Sequence, residues 1–195
     1  MANTRRRDQI AQAAMKLFAE RGYHGTGMED IARECGMRAS SLYNHVDSKQ
    51  RVLAELCIHW MGRLLEVHDA AVEGIDDPAE ALAAAMRSHV VFHAHNARAV
   101  KVVNNEINSL EKADRDTVTG LRRDYVVRWQ KIVAAGIERG EFHVEDLKIA
   151  VYALIDMGIG VALWFDPAGR YPAEDLAEFY ATAALRQVGA AVPAA

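Results

Sequence analysis

The stretch from Thr26 to Lys49, TGMEDIARECGMRASSLYNHVDSK, constrains this chain more than any other. Ile31, Ala32 and Cys35 recur at helical spacing, and Thr26 followed by Glu29 three residues later reads as a capping box at the helix start. Gly36 then supplies the left-handed residue that closes a helix without a Cβ clash. A second short helix is expected from about Ala39 to Val46, with Leu42 and Val46 facing inward. Ser40, Ser41, Tyr43, Asn44 and His45 are left on or beside its outward face. Two short helices about a glycine turn, the second displaying small polar and aromatic groups, have the layout of a helix-turn-helix. The second helix of that motif enters the major groove of DNA.

Charge is placed to match. The chain carries a net charge of −4, but residues 1–51 hold nine Lys/Arg against six acids, a head of +3 on a body of −7. That puts the electrostatic footprint for a polyanion at the N-terminus, where Arg5, Arg6 and Arg7 suit a phosphate-contacting arm. Asp8 and Gln9 follow in place of an apolar signal core, so no secretion signal is expected and the expected location is the cytoplasm, at the nucleoid. Cys35 and Cys57 stand at unrelated spacing and read as buried small hydrophobes in a reducing compartment.

The rest of the chain is helical by its apolar spacing. Ile10, Ala13, Ala14, Leu17 and Phe18 stripe a first helix from about Thr4 to Arg21, stopped at Gly22. A fourth helix, capped by Asp47 or Ser48, runs to about Glu73 with Val52, Leu53, Leu56, Trp60, Leu64 and Val67 inward. At 1.5 Å per residue it spans roughly 35–40 Å, long enough to act as a lever on the reading head. Pro78 opens a fifth helix in which Leu82, Met86, His89, Val90 and His93 share a face; it breaks near Asn96 and Ala97, and a short piece follows to Leu110. A seventh helix from Asp114 has Leu121, Tyr125, Val126, Trp129, Ile132 and Val133 on one side and Arg122, Arg123, Arg128 and Lys131 on the other, closing at Gly136 and Gly140.

Leu147 to Phe165 is apolar almost all round, but Asp156 at its middle disfavours a bilayer by about 2.5–3.5 kcal/mol on insertion scales. A helix buried against both its own core and a second copy fits better, with Gly158, Gly160 and Ala162 permitting close backbone approach. The last helix, Ala173 to Gly189, is apolar along Leu176, Phe179, Tyr180, Ala183, Ala184 and Val188; two such helices in succession suit a dimeric four-helix bundle. The fold class expected is all-α, about nine helices: a helix-turn-helix domain over 1–50, a ligand-binding and dimerisation domain over 51–189, and a fraying tail over 190–195.

The ordered set Gly22-Tyr23, Glu29-Asp30-Ile31-Ala32, Gly36, Leu42-Tyr43, His45 and Ser48-Lys49 resembles the N-terminal domain of the tetracycline-repressor (TetR) family of bacterial transcription regulators, over roughly residues 8 to 56. Ser40 and Arg38 stand where Gly and Ser are usual, so base preference does not transfer from a relative, and Val46 stands where Phe is usual, which softens packing only. The resemblance implies a homodimeric regulator, usually a repressor, that releases a palindromic double-stranded DNA operator when a small molecule fills the C-terminal domain. The DNA-contact candidates are Thr26, Arg38, Ser40, Ser41, Tyr43, Asn44, His45 and Lys49. By the resemblance Tyr43, His45 and Lys49 grip phosphates, while Arg38, Ser40, Ser41 and Asn44 are placed for base edges, where Arg and Asn alone make bidentate contacts.

Asn105-Glu106, Tyr125 with Trp129, the run from Gly136 to Phe142, and Trp164 to Gly169 resemble a subgroup of the family that responds to acyl-coenzyme A thioesters. On that resemblance Arg122, Arg123 and Arg128 suit the phosphates, with Trp60, His89, Phe92, His93, Asn105, Trp129 and Trp164 as further pocket candidates. Each aromatic is equally at home in an ordinary core, and the arginines on a solvated face. Gly158, Ala162, Leu176, Phe179, Tyr180 and Ala183 are the expected dimer surface. Two alternatives stand beside this reading: a hydrophobic-compound sensor controlling efflux, and a metal-responsive regulator using His89 and His93 at i, i+4. Four metal ligands are not in evidence, there being no clustered Cys and no HExxH pair, and no cofactor is expected beyond the effector. No nucleophile-elbow pattern or Gly-rich phosphate loop suggests an enzyme.

Overall fold

A computed structural model describes residues 2–191, with side chains from Arg5 onward. α1 (Ala2–Arg21) buries Ile10, Ala14, Leu17 and Phe18 and ends at Gly22, whose φ of 75° is the left-handed value glycine alone takes freely. α2 (Met28–Glu34) buries Ile31 and Ala32. Its first turn is tied by the Asp30 carboxylate, which accepts the Gly27 backbone N–H at 2.9 Å. The cap is therefore Gly27 with Asp30, in place of the expected Thr26–Glu29 box. Thr26 is turned inward at 1% exposure, its hydroxyl 3.0 Å from the Gly22 carbonyl and 3.3 Å from that of Leu17.

α3 (Ala39–Leu42) has four residues where eight were expected. Past Leu42 the chain continues in turns, the N–H groups of His45 and Val46 both returning to the Leu42 carbonyl at 2.9 and 3.2 Å. Ser40, Ser41 and Asn44 favour such turns because their side chains compete for backbone partners. Leu42, fully buried, anchors the segment; Val46 is only half-buried. Cys57 is buried as expected, whereas Cys35 at the end of α2 is half-buried, its Sγ 3.7 Å from the Gln9 carbonyl.

The remaining elements are α4 (Lys49–Val72), α5 (Pro78–His95), α6 (Ala97–Asn105) followed by a 3-10 turn (Ile107–Ser109), α7 (Lys112–Glu138), α8 (Leu147–Ile159), α9 (Val161–Trp164) and α10 (Ala173–Gln187). No strand occurs among the described residues. Asp77 caps α5, accepting the Glu80 N–H at 2.8 Å, and Asp146 caps α8 through Ile149 N–H at 2.9 Å. α7 does not stop at Gly136: the Phe142 ring lies over that glycine, so close that an added Cβ would sit 2.2 Å from it, and the helix closes at Gly140.

By compactness the chain forms two units, Met1–Gly62 with Arg98–Gly120 and Arg63–Ala97 with Leu121–Ala195. α4 and α7 each contribute to both. In the first unit α1 packs on α2 and α2 on α3; in the second, α5 is the central element, packed against α8, α9 and, most extensively, α10. α8 meets α5 at Gly158, where an added Cβ would fall 2.1 Å from His89 Cδ2 and 2.7 Å from its Nε2. Gly158 is thus an internal packing residue, which corrects its place on the expected dimer surface; Leu176, 8% exposed, is inward as well.

Gly158→Ala is expected to lower stability by about 1–3 kcal/mol, because His89 is held by two hydrogen bonds and cannot yield cheaply. Gly62→Ala, where an added Cβ meets nothing within 4 Å, should gain up to about 1 kcal/mol from helix propensity. Urea midpoints of the two variants check both signs.

Candidate functional site

In the first unit α3 and the turn after it present Arg38, Ser40, Ser41, Tyr43 and Asn44 to solvent, with His45 half-buried beside them. Tyr43 is 54% exposed despite its ring, so it is available to a partner. Arg5, Arg6 and Arg7 are exposed near the start of α1. The α3 segment alone combines an arginine, small hydroxyls, an amide and a phenol. It can meet phosphates and base edges together.

What holds that face lies in the turn before α2. Lys49 Nζ donates to the carbonyls of Tyr23 and Thr26, each at 2.8 Å, and sits 4.1 Å over the Tyr23 ring. Its three donors leave at most one for a phosphate. Lys49 is accordingly a brace of the reading head, and the buried Thr26 hydroxyl is a second; neither is placed as the freely exposed DNA contact expected. Just past α6, the Glu106 carboxylate accepts the Tyr23 backbone N–H at 3.0 Å and the Ser109 hydroxyl at 3.0 Å. Gln50 Nε2 donates to the Ser109 carbonyl at 2.6 Å. The Ser109 hydroxyl, its proton given to Glu106, accepts from His24 Nε2 at 3.3 Å. This latch was not visible in the sequence, because Tyr23 and Glu106 lie 83 positions apart.

The second unit holds a polar cluster inside its core: His68 of α4, His89 and His93 of α5, and Tyr125 and Trp129 of α7, each under 5% exposed. His89 Nε2 is 2.9 Å from the Ile155 carbonyl, which can only accept, so that nitrogen carries the proton. Nδ1 is then the acceptor for the Tyr125 hydroxyl at 2.7 Å. His93 Nδ1 donates to the His89 carbonyl at 2.7 Å. Burial disfavours imidazolium, pushing His68 and His93 down to about 4 and His89 well below its ordinary value. Burial likewise raises the Tyr125 phenol. With both nitrogens of His89 committed, His89 and His93 do not make the i, i+4 metal pair, and no group of three or more metal-ligating side chains occurs among the described residues.

The other expected pocket residues scatter. Phe92 is buried, whereas Trp164 is 52% exposed on α9. Trp60, half-buried, and Asn105, exposed, belong to the first unit. Arg128 is not a free cation: its Nε and Nη2 grip both Asp69 oxygens, at 2.6 and 2.9 Å, and hold that carboxyl below its usual range. Arg123 is exposed and Arg122 half-buried. On α8–α10, Ile149, Tyr152, Leu163, Trp164 and Phe179 are exposed, Phe179 at 68%, with Ala162, Tyr180 and Ala183 half-buried.

An exposed recognition segment on a braced three-helix head defines a helix-turn-helix DNA-binding protein. Residues 10–56 match the family model "Bacterial regulatory proteins, tetR family", and residues 75–188, more than half of the chain, match "Tetracyclin repressor-like, C-terminal domain". The chain belongs to the TetR family of bacterial transcription regulators. It is 28% identical over 183 residues to the HTH-type transcriptional repressor KstR2 of Rhodococcus jostii (strain RHA1), covering 92% of this chain and 89% of that one. A tetR-family regulatory protein from Rhodococcus RHA1 superposes with a TM-score of 0.90 at 27% identity, over 96% and 98% of the two chains. AibR, solved with isovaleryl coenzyme A and operator DNA, superposes at 0.83 with 25% identity over 91% and 97%.

Two outcomes follow from the site's electrostatics. His68 and His93 protonate near pH 6.5 when unfolded but only near 4 when folded, and burial shifts His89 in the same direction. The unfolded chain therefore binds more protons in that window, and stability falls as pH drops from about 6.5 toward 4, by about 2 kcal/mol at pH 5 for each of His68 and His93. Urea midpoints at pH 7.5 and 5 measure it. Lys49→Ala should cost about 1.5–3 kcal/mol by unbracing two carbonyls, whereas Ser40→Ala and Asn44→Ala stay within about 0.5 kcal/mol; thermal melts separate brace from reader.

Proposed function

We propose that this regulator is a homodimeric repressor that binds a palindromic operator and leaves it when an acyl-coenzyme A thioester occupies its effector domain. The face of Arg38, Ser40, Ser41, Tyr43 and Asn44, exposed on a head braced from behind, carries the DNA reading. Residues 1–50 are the functional head and 51–189 the effector and dimerisation region. One three-helix head makes few base contacts, so two related by a dimer axis are needed for useful affinity, and the operator mirrors that symmetry. The protein is a regulator and not an enzyme, and acts in the cytoplasm at the nucleoid.

A second copy is the partner proposed for the exposed apolar surface of α8–α10. The segment Leu147–Trp164 is long and apolar enough to cross a membrane, but Lys148 and Asp156 are exposed on it, which suits a wet interface rim rather than lipid. Phe179, Tyr180, Ala162 and Ala183 stay in the proposed interface, joined by Ile149, Tyr152 and Leu163, while Gly158 and Leu176 leave it. Support for the thioester comes from AibR, whose crystals hold isovaleryl coenzyme A with operator DNA. Among the helix-seven arginines, Arg122 and Arg123 remain the phosphate candidates.

Genomic fragments selected by the purified protein supply the operator. Binding should weaken steeply with salt, and Tyr43→Ala and Asn44→Ala should weaken it with unchanged melting temperatures. A thioester panel, with free acids and coenzyme A as controls, should release the fragment and stabilise the protein by about 2.7 kcal/mol at 100 times its dissociation constant. Release by hydrophobic drugs alone would move the efflux-sensor reading ahead.

A further inference from the structure

We propose that the core of the second unit recognises a neutral carbonyl or hydroxyl group on an apolar effector, through the Trp129 indole N–H and the His68 imidazole. This rests on the reading of that unit as the effector domain and names the polar chemistry it accepts.

Among the described residues, four buried side-chain polar atoms make no hydrogen bond of good geometry: Trp129 Nε1, which faces the Tyr125 hydroxyl without closing on it, His68 Nδ1, His68 Nε2 and Gln50 Oε1. Three of them belong to adjacent rings. The His68 and Trp129 centroids lie 5.8 Å apart at 89°, with Tyr125 beside both, 5.5 Å from His68 and 6.2 Å from Trp129. Trp129 is 0% exposed and His68 2%, so bulk water does not satisfy them. Native proteins keep few such groups, because each forfeits the hydrogen bonds it makes in the unfolded chain. The neighbouring His89 is saturated by Tyr125 and Ile155, which shows that the same core can satisfy a ring fully.

The unmet groups specify their complement. Indole Nε1 only donates, and a neutral imidazole offers one donor and one acceptor. An oxygen carrying lone pairs satisfies the donors; a hydroxyl adds a proton for the imidazole acceptor. A charged group does not fit. The cluster contains no Asp, Glu, Lys or Arg, and the nearest pair, Asp69 with Arg128, is closed on itself at the surface, with side chains 52% and 33% exposed. A carboxylate or ammonium there would be buried without a counter-ion. Burial also keeps His68 neutral down to about pH 4.

The test uses the full-length protein and does not require the natural effector. Dissociation constants are measured by displacement of the neutral dye N-phenyl-1-naphthylamine with 2-undecanone, 1-undecanol and undecane, and with decanoyl-coenzyme A against its carbonyl-free thioether S-decyl-coenzyme A. The chain has three tryptophans, so the Trp129 indole N–H resonance is the one missing from Trp129→Phe. The oxygenated probes are expected to bind about tenfold tighter than undecane, as one good hydrogen bond from a buried donor allows, and to shift that resonance. The preference should fall below threefold in Trp129→Phe and in His68→Met. If Trp129→Phe does not fold, His68→Met carries the test, since it removes the orphans at similar volume. Dye binding with no oxygen preference, or a preference unchanged in both variants, overturns the proposal and leaves the effector domain standing. Failure of the dye and of every probe to bind overturns the effector reading, and the proposal with it.

Discussion

The Lys49 ammonium on the carbonyls of Tyr23 and Thr26 is the contact on which the reading head depends. α3 is four residues with one fully buried side chain, too short to be stable on its own and too small to fix its own direction. Its position is inherited from α2, and α2 begins directly after the turn that Lys49 clamps. A buried Thr26 hydroxyl closes the same turn from within. The cation is half-buried and over an aromatic face, so its hydrogen bonds are less screened than those of a surface pair. The surface ion pairs, such as Arg51 with Glu55 and Arg63 with Glu66, contribute much less.

That dependence makes the head sensitive to residues outside it. Lys49 opens α4, and Glu106 ends the α6 segment that grips the Tyr23 N–H of the same turn. The turn is therefore held on its carbonyl side by one helix and on its amide side by another. α4 also carries His68 of the second unit. On the proposed reading of the second unit as the effector domain, a ligand that favours one setting of α4 need only alter these few hydrogen bonds to change where α3 sits. Coupling of about 1–3 kcal/mol, the scale of one or two such bonds, is enough for a working switch.

The sequence was informative where chemistry is local. The helix stops at Gly22, Gly36 and Gly140, the Pro78 start and the apolar stripes needed no tertiary information; the recognition helix, half as long as expected, and the Leu147–Phe165 helix, divided at Gly160 into α8 and α9, did not follow from them. It was uninformative where one atom chooses between partners. Thr26 reads equally well as a cap or as a buried hydroxyl until Asp30 is seen taking the Gly27 N–H. Lys49 reads as a phosphate ligand until its carbonyls are located. Arg128 looked like part of a basic face because Asp69, 59 positions away, is on another helix. Gly158 carried the signal of close backbone approach correctly, but periodicity cannot say whether the approaching body is a second copy or the chain's own His89.

The two units differ in how much buried polarity they leave unpaired among the described residues, one atom (Gln50 Oε1) in the first and three in the second, and the difference bears on function. Around the head, the Thr26 hydroxyl, the Glu106 carboxylate and the Lys49 ammonium are all engaged, and the result is a single well-defined turn. In the core of the second unit, His89 and His93 are engaged while His68 is not, and the Trp129 indole meets Tyr125 without a hydrogen bond of good geometry. A core free to be fully apolar would gain stability by losing those orphans. Their cost makes sense in a site whose remaining hydrogen bonds are completed by a bound molecule, since binding energy is largest where the free protein is least satisfied.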